Sequence, residues 1–178
     1  VYKASLHSYR RAVVFVRPGY LVLCDRVTAG GGHVFSWLFH PPAAEDCRMR
    51  VGRDSFSVER AAASLWARLL ATGTMEIQER DWPIPLAALE ELTKQRIPVR
   101  KYVEVSSPRA SKGALLALLY PLSPGQAAPK VQELRTPSAL GLQIGESDWV
   151  AFKLRTPSLQ AASVETDADS VFLRSSGE

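Results

Sequence analysis

A Pro-Gly pair between two short apolar runs is the feature that most constrains how this sequence can fold. The runs AVVFV and YLVLC are rich in β-branched and aromatic residues, and they flank Arg17-Pro18-Gly19. This pattern predicts a β-hairpin. The glycines at 30–32 predict a loose turn into a third apolar run, HVFSWLFH. The beginning of the chain is therefore expected to form a three-stranded meander.

The rest of the sequence continues in the same style. Turn residues recur about every 8 to 12 positions, a spacing typical of a sandwich or barrel. The run GALLALLYPL is apolar on both faces, which predicts a strand between two stacked layers. SLWARLLA could be helical by propensity, but its length and its strand-like neighbours favour a strand. A short helix around residues 86–95, or an irregular excursion, is the single expected departure.

Composition limits the classes of protein to consider. The 178 residues suit one domain that can bury its own core, and no apolar tract is long enough for a membrane span. The net charge of +4 is evenly spread and compatible with a polyanionic glycan, while no feature indicates a nucleic-acid partner. Cys24 reads as a buried thiol, although a disulfide with Cys47 is conceivable. The chain has no phosphate-binding glycine loop and no zinc-ribbon cysteine pairs.

One longer pattern resembles a known family. It consists of His7, Arg10-Arg11, the segment VVFVRPGYLVLCDRV and the strand HVFSWLFH with its Trp-x-x-His ending. Together these pieces are similar to the C-terminal part of heparinase II/III-type polysaccharide lyases. In that family a helical toroid precedes a large antiparallel β-sandwich, and the toroid carries most catalytic residues.

The resemblance implies a fold and a function. Residues 1–178 are expected to be a single all-β domain, a supersandwich-like antiparallel β-sandwich from the C-terminal part of a larger protein. The parent would cleave an acidic, uronate-containing polysaccharide by β-elimination, in the periplasm or outside the cell. This chain would support the toroid and line its cleft. The alternative is a stand-alone carbohydrate-binding or structural β-sandwich without catalytic activity.

The resemblance also implies a metal site. In the family a His, a later Asp and a His after an aromatic residue hold a structural ion, and the matching positions are His7, Asp25 and His40. Two imidazoles and a carboxylate suit zinc. The sequence therefore predicts a structural zinc ion held by these three residues, whereas His33 is expected at the plain surface.

The geometry of a simple hairpin disfavours this zinc site. If Pro18-Gly19 is a two-residue loop, Ala12 faces Asp25, and His7 lies five residues further along and on the other face. His7 and Asp25 could then meet only through a bulge near residues 8–11. The other interpretation is that Asp25 pairs with a neighbouring arginine, Arg11 or Arg26.

Catalytic residues are not identified in this sequence. A polysaccharide lyase must neutralise the uronate carboxylate and supply a base and an acid, roles in which the family uses Tyr and His. No tyrosine here lies beside a defensible His, Asn and Arg set. The weak candidates for substrate binding are the cluster at the start of the first strand and one tryptophan flanked by Asp and Pro, namely Tyr9, Arg10, Arg11 and Trp82.

Overall fold

The protein, described here from a computed structural model, is built of antiparallel strands. The structure describes residues 5–42, 46–81, 91, 101–155, 158–161 and 164–175. Most of the helix expected at 86–95 therefore lies outside the described residues. The strands are β1 Leu6–Val16, β2 Tyr20–His33, β3 Ser36–Phe39, β4 Arg48–Val51, β5 Ser55–Glu59, β6 Ser64–Ala71, β7 Glu76–Asp81, β8 Lys101–Ser106, β9 Ala110–Leu122, β10 Val131–Arg135, β11 Ala139–Ile144, β12 Asp148–Lys153, β13 Leu159–Ala161, β14 Val164–Thr166 and β15 Ser170–Arg174.

The strands form a layered sandwich. The central sheet has the order β1-β2-β9-β6-β5-β4, and its faces pack against two smaller sheets, β3-β8-β7 and β10-β11-β12-β15. The hairpin β13-β14 packs on the outer face of the second small sheet. The predicted all-β sandwich is confirmed. Within the described residues, no helix has the length and apolar character needed to cross a membrane.

Strand β9 lies between both cores. On one face, Leu115 and Ala117 join a core with Val103 and Val105 of β8, which we call the β8-side core. On the other face, Leu116 and Leu118 join a core with residues of β11 and β12, which we call the β11-side core. The four consecutive residues Leu115–Leu118 are fully buried. The prediction that GALLALLYPL is sandwiched between two layers is therefore confirmed.

The first hairpin is offset by one residue from a two-residue loop. Val16 pairs with Tyr20, so the turn contains the three residues 17–19. The offset carries through the ladder, where Ala12 faces Cys24 and Arg11 faces Asp25. Because side chains alternate between faces, this single residue decides which side chain meets the carboxylate of Asp25.

The expected three-stranded meander is wrong. Gly30–Gly32 do not form a turn but continue β2, and β3 pairs with β8 in a separate sheet. The register of β2 against β9 shifts between Thr28 and His33, and the chain then crosses to the other layer. A Cβ atom at Gly30 would lie 3.1 Å from His7 Nε2, so glycine here leaves room for that imidazole.

The two cysteines face different cores. Cys24 is buried in the β11-side core, whereas Cys47 packs against the β8-side core. Both are free thiols, so the disulfide considered from the sequence does not form in this structure. Burial raises the pKa of Cys24 to about 12, which keeps it protonated and unreactive at neutral pH.

A buried acid ties the central sheet to the four-stranded sheet. The hydroxyl of Tyr20, at the start of β2, donates to Asp148 Oδ2 at 2.6 Å. Arg174 of β15 donates to both carboxylate oxygens of Asp148, at 2.8 and 2.6 Å. The hydrogen bonds from Arg174 lower the pKa of Asp148 to about 2, with Tyr20 and Ser147 lowering it further and burial opposing them. The carboxylate therefore stays ionised in the folded protein.

Asp148 should give the protein an acid-sensitive contribution to stability. Its folded pKa of about 2 is below the unfolded value of about 3.9. The contribution, on the order of 2 kcal/mol, is thus complete above pH 4 or so and lost as pH falls through the folded pKa. Urea unfolding across this pH range should give free energies of unfolding for wild-type protein and Asp148→Asn that converge at low pH. A constant difference between the two would contradict this role.

A side chain at position 141 of β11 should destabilise the protein. An added Cβ would lie 2.7 Å from the carbonyl oxygen of Val150 and 2.9 Å from the Cβ of Ala151. Gly141→Ala should therefore lower the free energy of unfolding by about 1–3 kcal/mol through overpacking. Gly73→Ala is the matched control, because no atom of the described residues lies within 4 Å of its added Cβ. Equal denaturation midpoints for the two variants would contradict the close approach of β11 and β12.

Candidate functional site

One candidate site is a groove between β1, β2 and β3. Its volume is about 430 Å³, and we call it the β1–β3 groove. Residues of β1 and β2 that point to the β8 side form one wall, and β3 with the residues before it forms the other. Its lining includes Tyr9, Arg11, Asp25, His33, Phe35 and Trp37.

An ion pair lies in one wall of the groove. Arg11 Nε and Nη2 donate to the two oxygens of Asp25, each at 2.7 Å, in a parallel two-pronged arrangement. The Asp25 side chain is completely buried, whereas the Arg11 side chain remains 52% exposed. This geometry is the strong form of a charge-assisted hydrogen bond. The interpretation that Asp25 pairs with Arg11 is confirmed.

The pair follows directly from the hairpin register. Arg11 and Asp25 are opposite one another on neighbouring strands, so their side chains leave the sheet on the same face. A buried carboxylate without a partner would be costly, and the guanidinium of Arg11 supplies that partner. Asp25 in turn raises the pKa of Arg11, which keeps the guanidinium charged.

Tyr9 extends the same face by one step along β1. Its ring lies 5.9 Å from the guanidinium carbon of Arg11, and the residue is 48% exposed. Partial burial, followed by the negative charge of Asp25, raises the pKa of Tyr9. The phenol is therefore protonated at neutral pH. It can donate a hydrogen bond to a ligand but is a poor base.

Alternation along HVFSWLFH builds the other wall. Every residue from His33 to Phe39 lines the groove, and the alternate residues His33, Phe35, Trp37 and Phe39 are the less exposed ones. Phe35 and Trp37 contact each other with ring centroids 6.4 Å apart, and Trp37 is buried. The expectation that His33 lies at the plain surface is wrong, because it is half-buried at the groove. The period-two pattern of this run, continued back to His33, could have indicated its place.

The structure does not assemble the three predicted metal ligands. Both oxygens of Asp25 are engaged by Arg11. A bulge between Leu6 and Ser8 puts Leu6 opposite Ala29, and the exposed His7 ring lies beside Gly30 instead.

His40, beyond the end of β3, contacts the ring of Tyr102 at a centroid distance of 5.4 Å. Among the described residues, no group of three His, Cys, Asp or Glu side chains could hold a metal ion. These residues do not fit zinc as arranged, and the zinc site stays a prediction.

The other candidate residues divide between the two faces. Tyr9 and Arg11 line the groove, as described. Arg10 points to the opposite face, is exposed, and lies across the ladder from Arg26. Trp82 is outside the described residues. The predicted cluster at the start of β1 therefore contributes two of its three side chains to this site.

Comparisons with known proteins place the fold. No protein-family model matches the chain, and no curated protein does either. Solved structures do match: a heparinase III gene product aligns at 17% identity with a TM-score of 0.61, over 82% of this chain and 24% of that one. The chain has a heparinase-like β-sandwich fold. A second heparinase III aligns at 13% identity with a TM-score of 0.63, over 84% of this chain and 24% of its own.

A third match has the same proportions. The heparan sulfate lyase HepC from Pedobacter heparinus aligns at 15% identity with a TM-score of 0.58, over 79% of this chain and 22% of its own. The chain thus spans about a quarter of the length of these structures. At such identities the likeness establishes the heparinase-like fold, and the resemblance predicted from the sequence is confirmed at that level.

Removing the partner of Asp25 should destabilise the protein. In Arg11→Met the buried carboxylate keeps its charge and loses its fork of hydrogen bonds. We expect the free energy of unfolding to fall by about 2 kcal/mol, less than for a fully buried pair because Arg11 is half-exposed. In the double variant Arg11→Met/Asp25→Leu no charge is left uncompensated, so urea unfolding should show most of the loss recovered.

The same residues decide the zinc question. Elemental analysis of purified wild-type protein, Asp25→Ala and the control His33→Ala measures metal content directly. The ion-pair geometry predicts no difference between the three. Stoichiometric zinc in wild type and His33→Ala, lost in Asp25→Ala, would contradict the ion-pair account and establish the predicted site.

Proposed function

We propose that this chain is the β-sandwich domain of a heparinase II/III-type polysaccharide lyase. In this role it supports an N-terminal catalytic toroid and lines one wall of the cleft. The parent protein would cleave a uronate-containing polysaccharide by β-elimination. The fold that the chain shares with part of heparinase III and of a heparan sulfate lyase supports this proposal.

The observation that carries the proposal is an exposed apolar strip beside the β1–β3 groove. Tyr9, Val13 and Phe15 alternate along β1 and therefore share one face. They are 48%, 52% and 59% exposed. Large apolar side chains that are exposed together on one surface are typical of an interaction site. A second domain covering this strip would also border the groove.

The central sheet is uncovered at this edge. Val27 of β2 belongs to the β8-side core, but among the described residues no side chain of β1 does. The small sheet β3-β8-β7 thus stops short of β1 and leaves the strip open. This arrangement supports a role in which a neighbouring domain packs on β1, where the chain's own small sheet does not cover it.

Groove residues are suited to binding a sugar more than to breaking it. The charge of Arg11 is already balanced by Asp25, so it offers little to a uronate carboxylate. Tyr9 is held protonated by its raised pKa, which disfavours it as the base. Aromatic rings and a phenol hydroxyl can stack on and hydrogen-bond to a sugar. The proton-transfer groups would then come from the toroid.

A stand-alone carbohydrate-binding or structural sandwich is the second candidate. The closed packing favours it, because β9 is fully buried between two cores that the chain builds from its own strands. A β-sandwich of this kind can fold without another domain. The reading frame upstream of this segment separates the two candidates, since only the lyase requires several hundred preceding residues with a helical pattern.

The isolated chain should not depolymerise heparin, heparan sulfate or alginate. The described groove contains one imidazole, His33, but its guanidinium, Arg11, is already paired with Asp25. No free cation is therefore left there to neutralise the uronate carboxylate. Absorbance of the unsaturated uronate product should stay flat with the isolated chain and rise with the parent protein. A steady rise proportional to the concentration of the isolated chain would contradict the proposed division of labour.

Variants of the strip test its role in the parent protein. Phe15→Asp should loosen the docked toroid and lower activity. Phe172→Asp is the matched control, because Phe172 of β15 is 37% exposed and lies on a different sheet. Equal activity of both variants would contradict docking at the strip.

A further inference from the structure

A second cleft lies on the opposite face of the central sheet from the β1–β3 groove. It has a volume of about 410 Å³ and runs between β2, β9 and the end of β6 on one side and the turn after β10 and the end of β12 on the other. Among the residues that the structure describes, its lining contains four cationic side chains and no carboxylate. The cations are Arg26, Lys112, Arg135 and Arg155. We call this feature the basic cleft.

Two of these guanidiniums are fixed by the facing layer. Arg26 Nη1 donates to the carbonyl oxygen of Lys153 at 2.5 Å, and Arg135 Nη1 donates to that of Ala71 at 2.8 Å. Each bond crosses between sheets and uses one N–H of a group with five. The remaining donors are held at the cleft at little further entropic cost, which is the preorganisation that favours binding.

The other two cations have no acidic partner. Within the described part of the chain, Lys112 and Arg155 make no ion pair and no side-chain hydrogen bond, and both are exposed. The first two cations do have acidic neighbours. Arg26 Nη1 forms a long ion pair with Asp169 Oδ1 at 4.0 Å, and Arg135 Nε pairs with Glu133 Oε2 at 3.1 Å. Neither acid lines the cleft, so its surface remains positive after these pairs are counted.

The pairing of β1, β2 and β9 extends the positive surface along the central sheet. Arg10 lies across the ladder from Arg26, and Lys112 lies across from Thr28 two positions further along β2. These three cations therefore share the face that opens onto the cleft. Like charges placed opposite each other repel and weaken a sheet. An anion between the layers would relieve that repulsion.

We propose that the basic cleft binds an anionic sugar, through the sulfate or carboxylate groups of an acidic polysaccharide. Arginine forks match such planar or tetrahedral oxyanions, and the hydroxyl-bearing Thr28, Thr72 and Thr136 in the lining can bind sugar hydroxyls. In the described part of the chain, the cleft lining includes no aromatic residue on which a nucleobase could stack, which argues against a nucleic acid. The choice of a glycan rests on the proposed function, but the site is separate from the groove.

Calorimetric titration with a heparin-derived sulfated tetrasaccharide tests this inference. Lys112→Ala/Arg155→Ala removes the two unpartnered cations and should weaken binding on the order of tenfold. Arg48→Ala/Arg53→Ala is the charge-matched control at the β4–β5 hairpin, on the far edge of the sheet, and should bind like wild type. A desulfated tetrasaccharide that retains its carboxylates then distinguishes recognition of sulfate from recognition of uronate.

Several results would overturn the inference. These are equal weakening in both double variants, no binding by wild type at physiological ionic strength, or equal competition by inorganic sulfate or a single-stranded oligonucleotide. The test is independent of the lyase assignment. If no toroid is encoded upstream and the cleft still binds the tetrasaccharide, the proposed function fails and the inference stands. If a toroid is encoded upstream and the cleft does not bind the tetrasaccharide, the inference fails and the proposed function stands.

Discussion

The two-sided burial of β9 is the constraint on which the rest of the structure depends. Four consecutive residues, Leu115–Leu118, are excluded from solvent and alternate between two cores. A strand of this kind requires a sheet neighbour on each side and a layer on each face. Its neighbours are β2 and β6, and the layers are the β3-β8-β7 and β10-β11-β12-β15 sheets. Both the groove and the basic cleft are openings where these layers separate.

The same layering explains why the two candidate sites differ in character. On the β8 side the covering sheet has three strands and leaves β1 exposed, so the groove is apolar and aromatic with one neutralised ion pair. On the β11 side the cleft is cationic, because Arg135 ends β10 and Arg155 lies two residues beyond the end of β12. One strand, β2, serves both sites by alternation, because Asp25 points to the first and Arg26 to the second.

The sequence was sufficient for the fold class but not for the connections between strands. Periodicity in runs such as GALLALLYPL reports which faces are buried, and this gave the layered sandwich. It does not report which strand lies beside which, since that depends on contacts far apart in the chain. The triple glycine illustrates the limit: it resembles a turn, yet β2 runs through it. The two-residue loop considered for the first hairpin is one residue shorter than the observed turn, and that residue decides the partner of Asp25.

The candidate site was predicted only in part for the same reason. The sequence indicates Tyr9 and Arg11 because they lie beside His7 in the pattern that resembles the family. The expected turn at the glycines instead predicts His33 at the surface, and nothing local indicates Phe35. The basic cleft joins residues more than a hundred positions apart, such as Arg26 and Arg155, and no local pattern in the sequence indicates it.

Native-state hydrogen exchange of backbone amides tests the central claim that β9 is enclosed by two cores. The amides of Leu115–Leu118 should exchange more slowly than others in the chain and only through global unfolding. Amides of the edge strand β4 should exchange earlier through local opening. Exchange of β9 at rates like those of β4 would contradict the layered architecture on which both sites depend.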